Sequence, residues 1–288
     1  MEPIELIQSL SSPMTISPTS EAPQLEHLPG IKAVIFDVYG TLFLSGSGEI
    51  SVGEGEQKDQ TMMQVLQEEG IVTSPSMELG KGFEQLILRD HAQAIEDGVA
   101  FPEVEIRDIW KRLLDQSCIT LDDRVVERLV IRYECAVNPI WPMPGCEQII
   151  LTLRDYGLKM GIISNAQFYT PSLFEALLGL TLKELGLRDE YCLWSYQERE
   201  AKPSKALFIR MASALALDGI KVSEAVYVGN DMRNDIATAQ AVGFRTALFA
   251  GDLRSLKWRE EDKLDVTPDI VLTELLQLLD CVMADEAE

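Results

Sequence analysis

The chain has 288 residues, 46% of them hydrophobic and 25% charged, and its formal net charge is −22. This length is sufficient for one large α/β domain and a smaller one, and the composition is ordinary for a soluble globular protein. A strongly negative chain repels nucleic acid and anionic membranes, so neither is an expected partner. It also repels anionic substrates, so a pocket for a small anion must be locally basic.

The cysteines and the apolar segments favour a cytoplasmic protein. The five cysteines include no CxxC pair, and an odd number cannot all form disulfides, so we expect reduced thiols. No apolar stretch approaches the roughly 18 residues that a membrane helix needs. The N-terminus lacks the basic-then-apolar order of a secretion signal. We expect a cytoplasmic monomer or homodimer.

The first half of the chain changes composition several times. Residues 1–29 are rich in Ser, Thr and Pro, which predicts a flexible tail. The apolar run that follows predicts a buried strand over 32–37. The Gly-rich stretch 45–57 predicts a hinge. Helical periodicity then continues over 58–138, with 139–142 as the second hinge.

Strand–helix alternation occupies the rest of the chain, which predicts a parallel sheet with right-handed crossovers. The predicted fold class is therefore α/β: a doubly wound, Rossmann-like parallel sheet core formed by residues 30–44 and 143–288, with the all-helical segment 58–138 inserted as a cap domain. The predicted core elements are helix 146–156, strand 159–163, strand 191–194, helix 204–216, strand 225–228, helix 234–242, strand 245–249, strand 269–272 and helix 273–283.

Polar residues follow several of these strands directly. Each alone has an ordinary explanation, because a strand-end Asp is usually a turn residue and acids before a helix often cap it. Open α/β sheets, however, place their ligand sites at the carboxyl ends of the strands. Those explanations do not account for the joint order of Asp37, Ser164-Asn165, Lys202-Pro203 and the run Gly229-Asn230-Asp231-Met232-Arg233-Asn234-Asp235.

These four motifs, beginning with Asp37-Val38-Tyr39-Gly40-Thr41, resemble the haloacid dehalogenase superfamily of aspartate-nucleophile hydrolases. The resemblance covers residues 32–44 and 143–280, and the helical insertion matches the cap position of that family. The motifs are highly specific for the superfamily and much less specific for the substrate.

The resemblance implies a role for each motif. Asp37 would attack phosphorus or carbon and form an aspartyl intermediate, with Lys202 as a nearby positive charge. Ser164 and Asn165 would bind the transferring group, and Thr41 would brace the loop beside it. Mg²⁺ would be held by the Asp37 carboxylate, the backbone carbonyl of Tyr39 and the residues Asn230, Asp231 and Asp235.

Tyr39 is predicted to be one of the catalytic residues, together with Asp37 and Lys202, but it departs from the phosphatase pattern. Most phosphatases of the superfamily carry a second Asp at this position as general acid and base. A phenol with a pKa near 10 is a poor base at neutral pH, and losing such a catalyst costs about 10²–10⁴ in rate. Asp followed by Tyr at this spacing resembles the 2-haloacid dehalogenases, whose halide leaving group needs no proton.

The acidic motif favours the phosphatases instead. Metal-independent dehalogenases tend to have Ser and Asn where phosphatases have a metal-binding Asp, whereas this chain keeps Asp231 and Asp235, spaced four apart. In the other common register the metal ligand would be Asn230. They also carry Tyr where this chain has Phe208. We predict a Mg²⁺-dependent phosphohydrolase or phosphotransferase acting on a small phosphorylated metabolite. The alternatives are a metal-independent 2-haloacid dehalogenase and a weakly active or non-catalytic protein that binds a small anion or a partner.

Overall fold

The computed structural model describes residues 1–46, 55–72, 78–258 and 265–283. Most of the predicted first hinge, residues 47–54, lies outside the described residues. The strands are β1 Ala33–Phe36, β2 Phe43–Ser45, β3 Ile140–Pro142, β4 Lys159–Ser164, β5 Leu187–Trp194, β6 Ala225–Gly229, β7 Arg245–Phe249 and β8 Ile270–Leu272. The α-helices are α1 Pro3–Leu10, α2 Gly55–Glu68, α3 Leu79–Glu96, α4 Ile106–Gln116, α5 Asp123–Val137, α6 Cys146–Asp155, α7 Thr170–Leu178, α8 Ser195–Glu198, α9 Lys205–Leu217, α10 Thr238–Val242 and α11 Gln277–Val282.

Six strands form the central sheet in the order β5-β4-β1-β6-β7-β8, and every neighbouring pair is parallel. All four residues of β1 are buried, as expected for a strand covered on both faces. This strand pairs with β4 on one side and β6 on the other. The residues after these three strands therefore meet at one edge of the sheet.

Helices α2 to α5, which we call the helical module (residues 55–137), have a hydrophobic core of their own. At its centre the Trp110 ring packs edge-on against Phe83 and Tyr133, with centroid separations of 5.8 and 5.4 Å. Aromatic pairs of this geometry add to the free energy gained by burying their apolar surface.

The two chain segments that connect the module to the sheet are paired with each other. Strands β2 and β3 form an antiparallel ribbon in which Phe43 lies opposite Pro142 and Ser45 opposite Ile140. Residues 139–142 were expected to be a hinge linker, and the structure places most of them in this strand. Ladder hydrogen bonds between two segments distant in sequence leave no signal in either segment alone.

Residues 1–29 differ from the expected flexible tail. Helix α1 buries Leu6 and Ile7 completely and packs against α5 and α7. Beyond it, Thr19 donates a hydrogen bond to the carbonyl of Ala250, and Gln24 pairs with Val271. The segment stays ordered because two fully buried side chains anchor it and its backbone finds partners on the core.

The remaining predicted core elements occur within a few residues of their expected bounds, with one change of geometry. The predicted helix 234–242 begins earlier, as a π-helical turn over Met232–Ala237, and only then continues as α10. Among the helices that the structure describes, none is both long enough and apolar enough to span a lipid bilayer.

Candidate active site

Asp37 lies at the carboxyl end of the central strand, where its backbone N–H donates to the carbonyl of Val228 on β6. The chain then turns sharply at Gly40, whose φ is +82°. A Cβ at Gly40 would lie 2.6 Å from the Ser255 Cβ and 2.7 Å from the Asn230 Nδ2. Only glycine fits this turn, because it combines a left-handed backbone with a close approach.

Lys202 is the cation beside Asp37. Its Nζ lies 2.9 Å from the Asp37 Oδ1, 2.6 Å from the Asp235 Oδ1 and 3.1 Å from the Tyr227 hydroxyl. Burial lowers the pKa of Lys202, but Asp235 and Asp37 raise it above its ordinary value. Burial also raises the pKa of Asp37 to about 6, against the opposing effect of Lys202. A buried, charged lysine therefore accompanies the proposed nucleophile.

Asp235 holds Lys202 in place. Its Oδ1 accepts hydrogen bonds from Lys202 and Tyr227, and its Oδ2 accepts from the backbone N–H groups of Asn230 and Asp231. Both carboxylate oxygens are thus occupied by protein donors. The sequence placed Asp235 among the metal ligands; in the structure its oxygens are committed to Lys202, Tyr227 and the backbone instead.

Both polar groups of the Asn230 side chain are also hydrogen-bonded within the protein. Its Oδ1 accepts a hydrogen bond from the Thr41 hydroxyl at 3.0 Å, and its Nδ2 donates to the carbonyl of Ser255 at 2.7 Å. Asn230 and Thr41 therefore brace the Gly40 turn. The contact of Thr41 is of the bracing kind that was expected for its part in substrate binding. Neither side chain is aimed at a ligand by these contacts, in contrast to the expected metal role of Asn230.

Asp231 has more freedom than its neighbours. Its Oδ1 caps the π-helical turn by accepting from the N–H groups of Arg233 and Asn234, whereas its Oδ2 accepts only from the Asn234 side chain among the described residues. Burial and the nearby Asp235 raise the pKa of Asp231. The N–H groups of Asn234 and Arg233 and the charge of Lys257 offset this rise only in part, and a partly compensated carboxylate favours a further cation.

Ser164 is the last residue of β4 and Asn165 follows it, and both contact the residues at the centre of the site. The Asn165 side chain accepts from the backbone N–H of Lys202 at 2.7 Å and donates to its carbonyl at 3.3 Å. A hydrogen bond from Ser164 to Asp37 lowers the pKa of that carboxyl. The structure therefore brings both predicted residues to the Asp37–Lys202 pair, with Asn165 fixing the backbone that carries the lysine.

The Tyr39 side chain is not placed for proton transfer. Its hydroxyl shares a 2.8 Å hydrogen bond with the Thr170 hydroxyl, and burial raises its pKa still further above the ordinary value. Tyr39 was expected to be catalytic; its phenol instead fills space and ties β1 to the start of α7. The phenol of Tyr39 therefore does not replace the general acid that most phosphatases of the superfamily carry at this position.

A cavity of about 380 Å³ opens above these residues, and the helical module forms its far wall. That wall includes Ile87 and His91 from α3, and Glu103, Val104 and Ile106 at and just before the start of α4. Arg107, in the first turn of α4, pairs with Glu105 and Glu127. The cavity is lined by Asp37, Tyr39, Ile87, His91, Glu103, Val104, Ile106, Asn165, Gln167, Lys202, Asn230, Asp231, Asn234, Asp235 and Lys257.

The donor set suits a hydrated Mg²⁺. Over the described parts of the chain, no group of three or more His, Cys, Asp or Glu side chains forms a ready metal cage. Asp37 and Asp231 remain as two carboxylates with raised pKa values on the floor of one cavity. Mg²⁺ is commonly bound through one or two carboxylates while it keeps several waters, so this pair fits the ion without a third acidic ligand.

Comparison with known proteins identifies the family. The chain belongs to the haloacid dehalogenase-like hydrolases, whose family model matches residues 31–243. Its similarity to a solved 2-haloacid dehalogenase from Pseudomonas syringae covers 87% of this chain and 97% of that one, with a TM-score of 0.54 and 22% identity. At that identity the similarity shows the fold alone. The predicted superfamily and the predicted Rossmann-like parallel core are confirmed.

Several of the curated relatives are named as phosphatases. The chain is 25% identical to a glyceraldehyde 3-phosphate phosphatase from Methanopyrus kandleri over 88% of this chain and 97% of that protein. It is 32% identical to a ribulose-1,5-bisphosphate 5-phosphatase from Halopiger xanaduensis, over 37% of this chain and 41% of that protein. The first of these similarities spans both the sheet and the helical module.

Proposed function

We propose that this protein is a Mg²⁺-dependent phosphatase of a small phosphorylated metabolite, with Asp37 as the nucleophile. The observation that carries the proposal is the buried Asp37–Lys202 pair, whose charged atoms are 2.9 Å apart at the carboxyl end of the central strand. The pair lies on the floor of a cavity that is large enough for a small metabolite. The names of the two relatives support a phosphate ester as the substrate.

Each of these residues has a separate role in the proposed reaction. Asp37 attacks phosphorus and forms an aspartyl phosphate, which water then hydrolyses, so that one displacement becomes two easier ones. Lys202 offsets the repulsion between the attacking carboxylate and the phosphoryl oxygens, with Asp235 and Tyr227 fixing its direction. Asp37, Asp231 and the backbone carbonyl of Tyr39 would hold Mg²⁺, which supplies further neutralisation of the phosphoryl charge.

The domain division follows from the same arrangement. We propose that residues 30–44 and 143–288 form the catalytic core and that 58–138 act as a cap whose inner wall selects the substrate. The module has its own hydrophobic core and lines one side of the cavity, which supports this division. We place the enzyme in the cytoplasm as a monomer or homodimer, with neither nucleic acid nor membrane as a partner.

The first experiment measures phosphate release from p-nitrophenyl phosphate with Mg²⁺ and with EDTA, and halide release from 2-chloropropionate. An aryl phosphate needs little help from a general acid, so the absence of an Asp at position 39 does not mask the reaction. We expect Mg²⁺-dependent phosphate release that Asp37→Asn abolishes while the melting temperature is retained. Halide release that resists EDTA would identify a dehalogenase, and inactivity on both compounds would favour a non-catalytic binding protein.

A further inference from the structure

We propose that Glu103, contributed by the helical module, is the general acid and base of this phosphatase, in the role that Tyr39 does not perform. The inference rests on the proposed function. Glu103 lines the same cavity as Asp37 and Lys202 but belongs to the opposite wall. In an in-line displacement the leaving oxygen departs on the side of phosphorus away from Asp37, and residues of the helical module line the cavity that would receive it.

The carboxylate of Glu103 is held by donors from both the core and its own segment. The Ser195 hydroxyl, at the end of β5, donates to its Oε2 at 2.9 Å, and the N–H of Val104 donates to its Oε1 at 2.9 Å. The Gln167 amide adds a longer contact of 3.4 Å to Oε1. These contacts hold the carboxyl group in one position at the cavity, and hydrogen-bond reach of the leaving oxygen is the geometric requirement for a proton donor.

The backbone around Glu103 is tied to the loop that carries Lys202. The N–H of Glu103 donates to the carbonyl of Arg199, the N–H of Ala201 donates to the carbonyl of Phe101, and Pro102 pairs with Glu200. These hydrogen bonds fix the position of Glu103 relative to Lys202, although the two residues come from different parts of the fold.

Gln167, in the loop after β4, also holds the segment that carries Glu103. Its Oε1 accepts from the N–H of Ile106 at 3.0 Å, and its Nε2 donates to the carbonyl of Val104 at 3.0 Å. Gln167 is only two residues beyond Asn165. The loops that hold Asn165 and Lys202 thus also hold the segment that presents Glu103.

The electrostatic surroundings suit a proton carrier at neutral pH. Burial raises the pKa of Glu103 to about 7, against the opposing effects of Ser195, the Val104 N–H and Arg199. A general acid and base works best when its pKa lies near the working pH. His91 is the other titratable group on this wall, and burial lowers its pKa, so that it is a weaker candidate for the acid.

The two half-reactions balance with one proton. In the first, the bond from phosphorus to the alcohol oxygen breaks as the bond to Asp37 forms, and protonated Glu103 gives its proton to the departing oxygen. In the second, the Glu103 carboxylate takes a proton from the water that attacks phosphorus, and the bond from phosphorus to the Asp37 oxygen breaks. Asp37 leaves as a carboxylate, and Glu103 is protonated again.

The test compares an alkyl and an aryl ester, glyceraldehyde 3-phosphate and p-nitrophenyl phosphate, in the full-length protein with Mg²⁺. We expect Glu103→Gln to lower kcat/KM for the alkyl ester by about 10²–10⁴ and for the aryl ester by less than tenfold, since nitrophenolate leaves without a proton. The matched control is Glu105→Gln, which makes the same change in the same segment at a residue outside the cavity lining. Its ratio of the two rates should stay that of the wild type.

An equal loss on both esters would overturn the proposal and leave Glu103 as a docking residue. A selective loss in His91→Gln but not in Glu103→Gln would transfer the role to His91. A second measurement needs no variant: kcat/KM of the wild type across aryl and alkyl phosphates should depend only weakly on the leaving-group pKa, and a steep dependence contradicts the acid. If the wild type hydrolyses no phosphate ester at all, the proposed function itself fails, and this role fails with it.

Discussion

At the scale of single residues, the site separates groups that face the cavity from groups that hold them. Asp37 and Asp231 were predicted from their positions at strand ends and Lys202 from the order of the motifs, and the structure brings the three to one cavity. Asp235 and Asn230 come from the same motif but are occupied by protein donors and acceptors. Sequence order places such residues at one sheet edge, but it does not say which oxygen a neighbouring N–H will take.

The different contacts of Asp231 and Asp235 predict that substituting them will have opposite effects on stabilisation by Mg²⁺. Asp231→Asn should abolish the rise in melting temperature that Mg²⁺ produces, because it removes one of the two carboxylates available to the ion. Asp235→Asn should keep that rise while lowering the melting temperature without metal, because Lys202 loses its closest partner, 2.6 Å away. Removing one partner of a buried pair costs about 3–5 kcal/mol.

Thermal melts with Mg²⁺ and with EDTA measure both effects on the same samples. The variants are matched in chemistry, since each replaces one carboxylate of the same motif with an amide. A metal response that survives in Asp231→Asn and vanishes in Asp235→Asn would reverse the assignment.

Glu103, Gln167 and Tyr227 were not predicted as site residues, and the reason is physical. Each acts through a contact between segments far apart in sequence: Glu103 with Ser195, Gln167 with Val104 and Tyr227 with Lys202. Local periodicity and turn chemistry carry no information about such contacts. The one available signal was the absence of an acid at position 39, which leaves the proton-transfer role open for another residue.

Glu103 also makes stability depend on pH in a defined direction. Its pKa rises from 4.5 to about 7 on folding, chiefly because of burial. The folded state therefore holds the proton more tightly, and the contribution of Glu103 to stability falls as the pH rises from about 4.5 to about 7. Relative to Glu103→Gln, the wild type should lose about 1–3 kcal/mol of unfolding free energy across that window.

Urea denaturation of both proteins at several pH values measures this difference. The comparison cancels the titration of all the other acids that the two proteins share. A difference that stays constant with pH, or that grows in favour of the wild type, would show that Glu103 is not buried with a raised pKa.

At the scale of elements, the apolar runs predicted the core strands well because both faces of the sheet are covered. The ribbon of β2 and β3 was not predicted, since its strands are three residues each and pair across the whole helical module. The π-helical turn after β6 was predicted as ordinary helix. Its geometry depends on Asp235, which accepts from backbone N–H groups just before the turn.

The end of β6 gives a test of how closely this turn is packed. A Cβ at Gly229 would lie 2.5 Å from the Asp235 Oδ2, so Gly229→Ala must displace the carboxylate that orients Lys202. A displacement of about 1 Å in an active site can cost about 10²-fold in rate, and overpacking costs about 1–3 kcal/mol in stability. We expect kcat/KM for p-nitrophenyl phosphate to fall by that factor.

Gly30→Ala is the control for this substitution. Gly30 has a φ of +76° and nothing within 4 Å of its Cβ position, so alanine there carries backbone strain without a clash. It should cost about 1–2 kcal/mol in stability and leave kcat/KM within twofold. Equal rates for the two variants would show that Asp235 tolerates the methyl group.

At the scale of the whole molecule, the N-terminal segment and the active site are linked through one loop. The N–H of Ser17 donates to the Asp252 carboxylate, and Arg254 donates to the carbonyl of Thr15. The same loop supplies Ser255, which contacts the Gly40 turn and accepts from Asn230. Composition alone predicted a flexible tail for residues 1–29, because Ser, Thr and Pro outnumber the few apolar residues that anchor it.

Helix α1 is the anchor of this segment, so its buried face should contribute strongly to global stability. Leu6 has no exposed surface, whereas Leu10 at the end of the same helix is 37% exposed. Leu6→Ala should therefore cost about 2–5 kcal/mol of unfolding free energy, and Leu10→Ala should change it by less than about 0.5 kcal/mol. Both values come from urea denaturation of the full-length protein. If the segment were a flexible tail, the two substitutions would have the same negligible effect, since neither side chain would lose contacts on truncation.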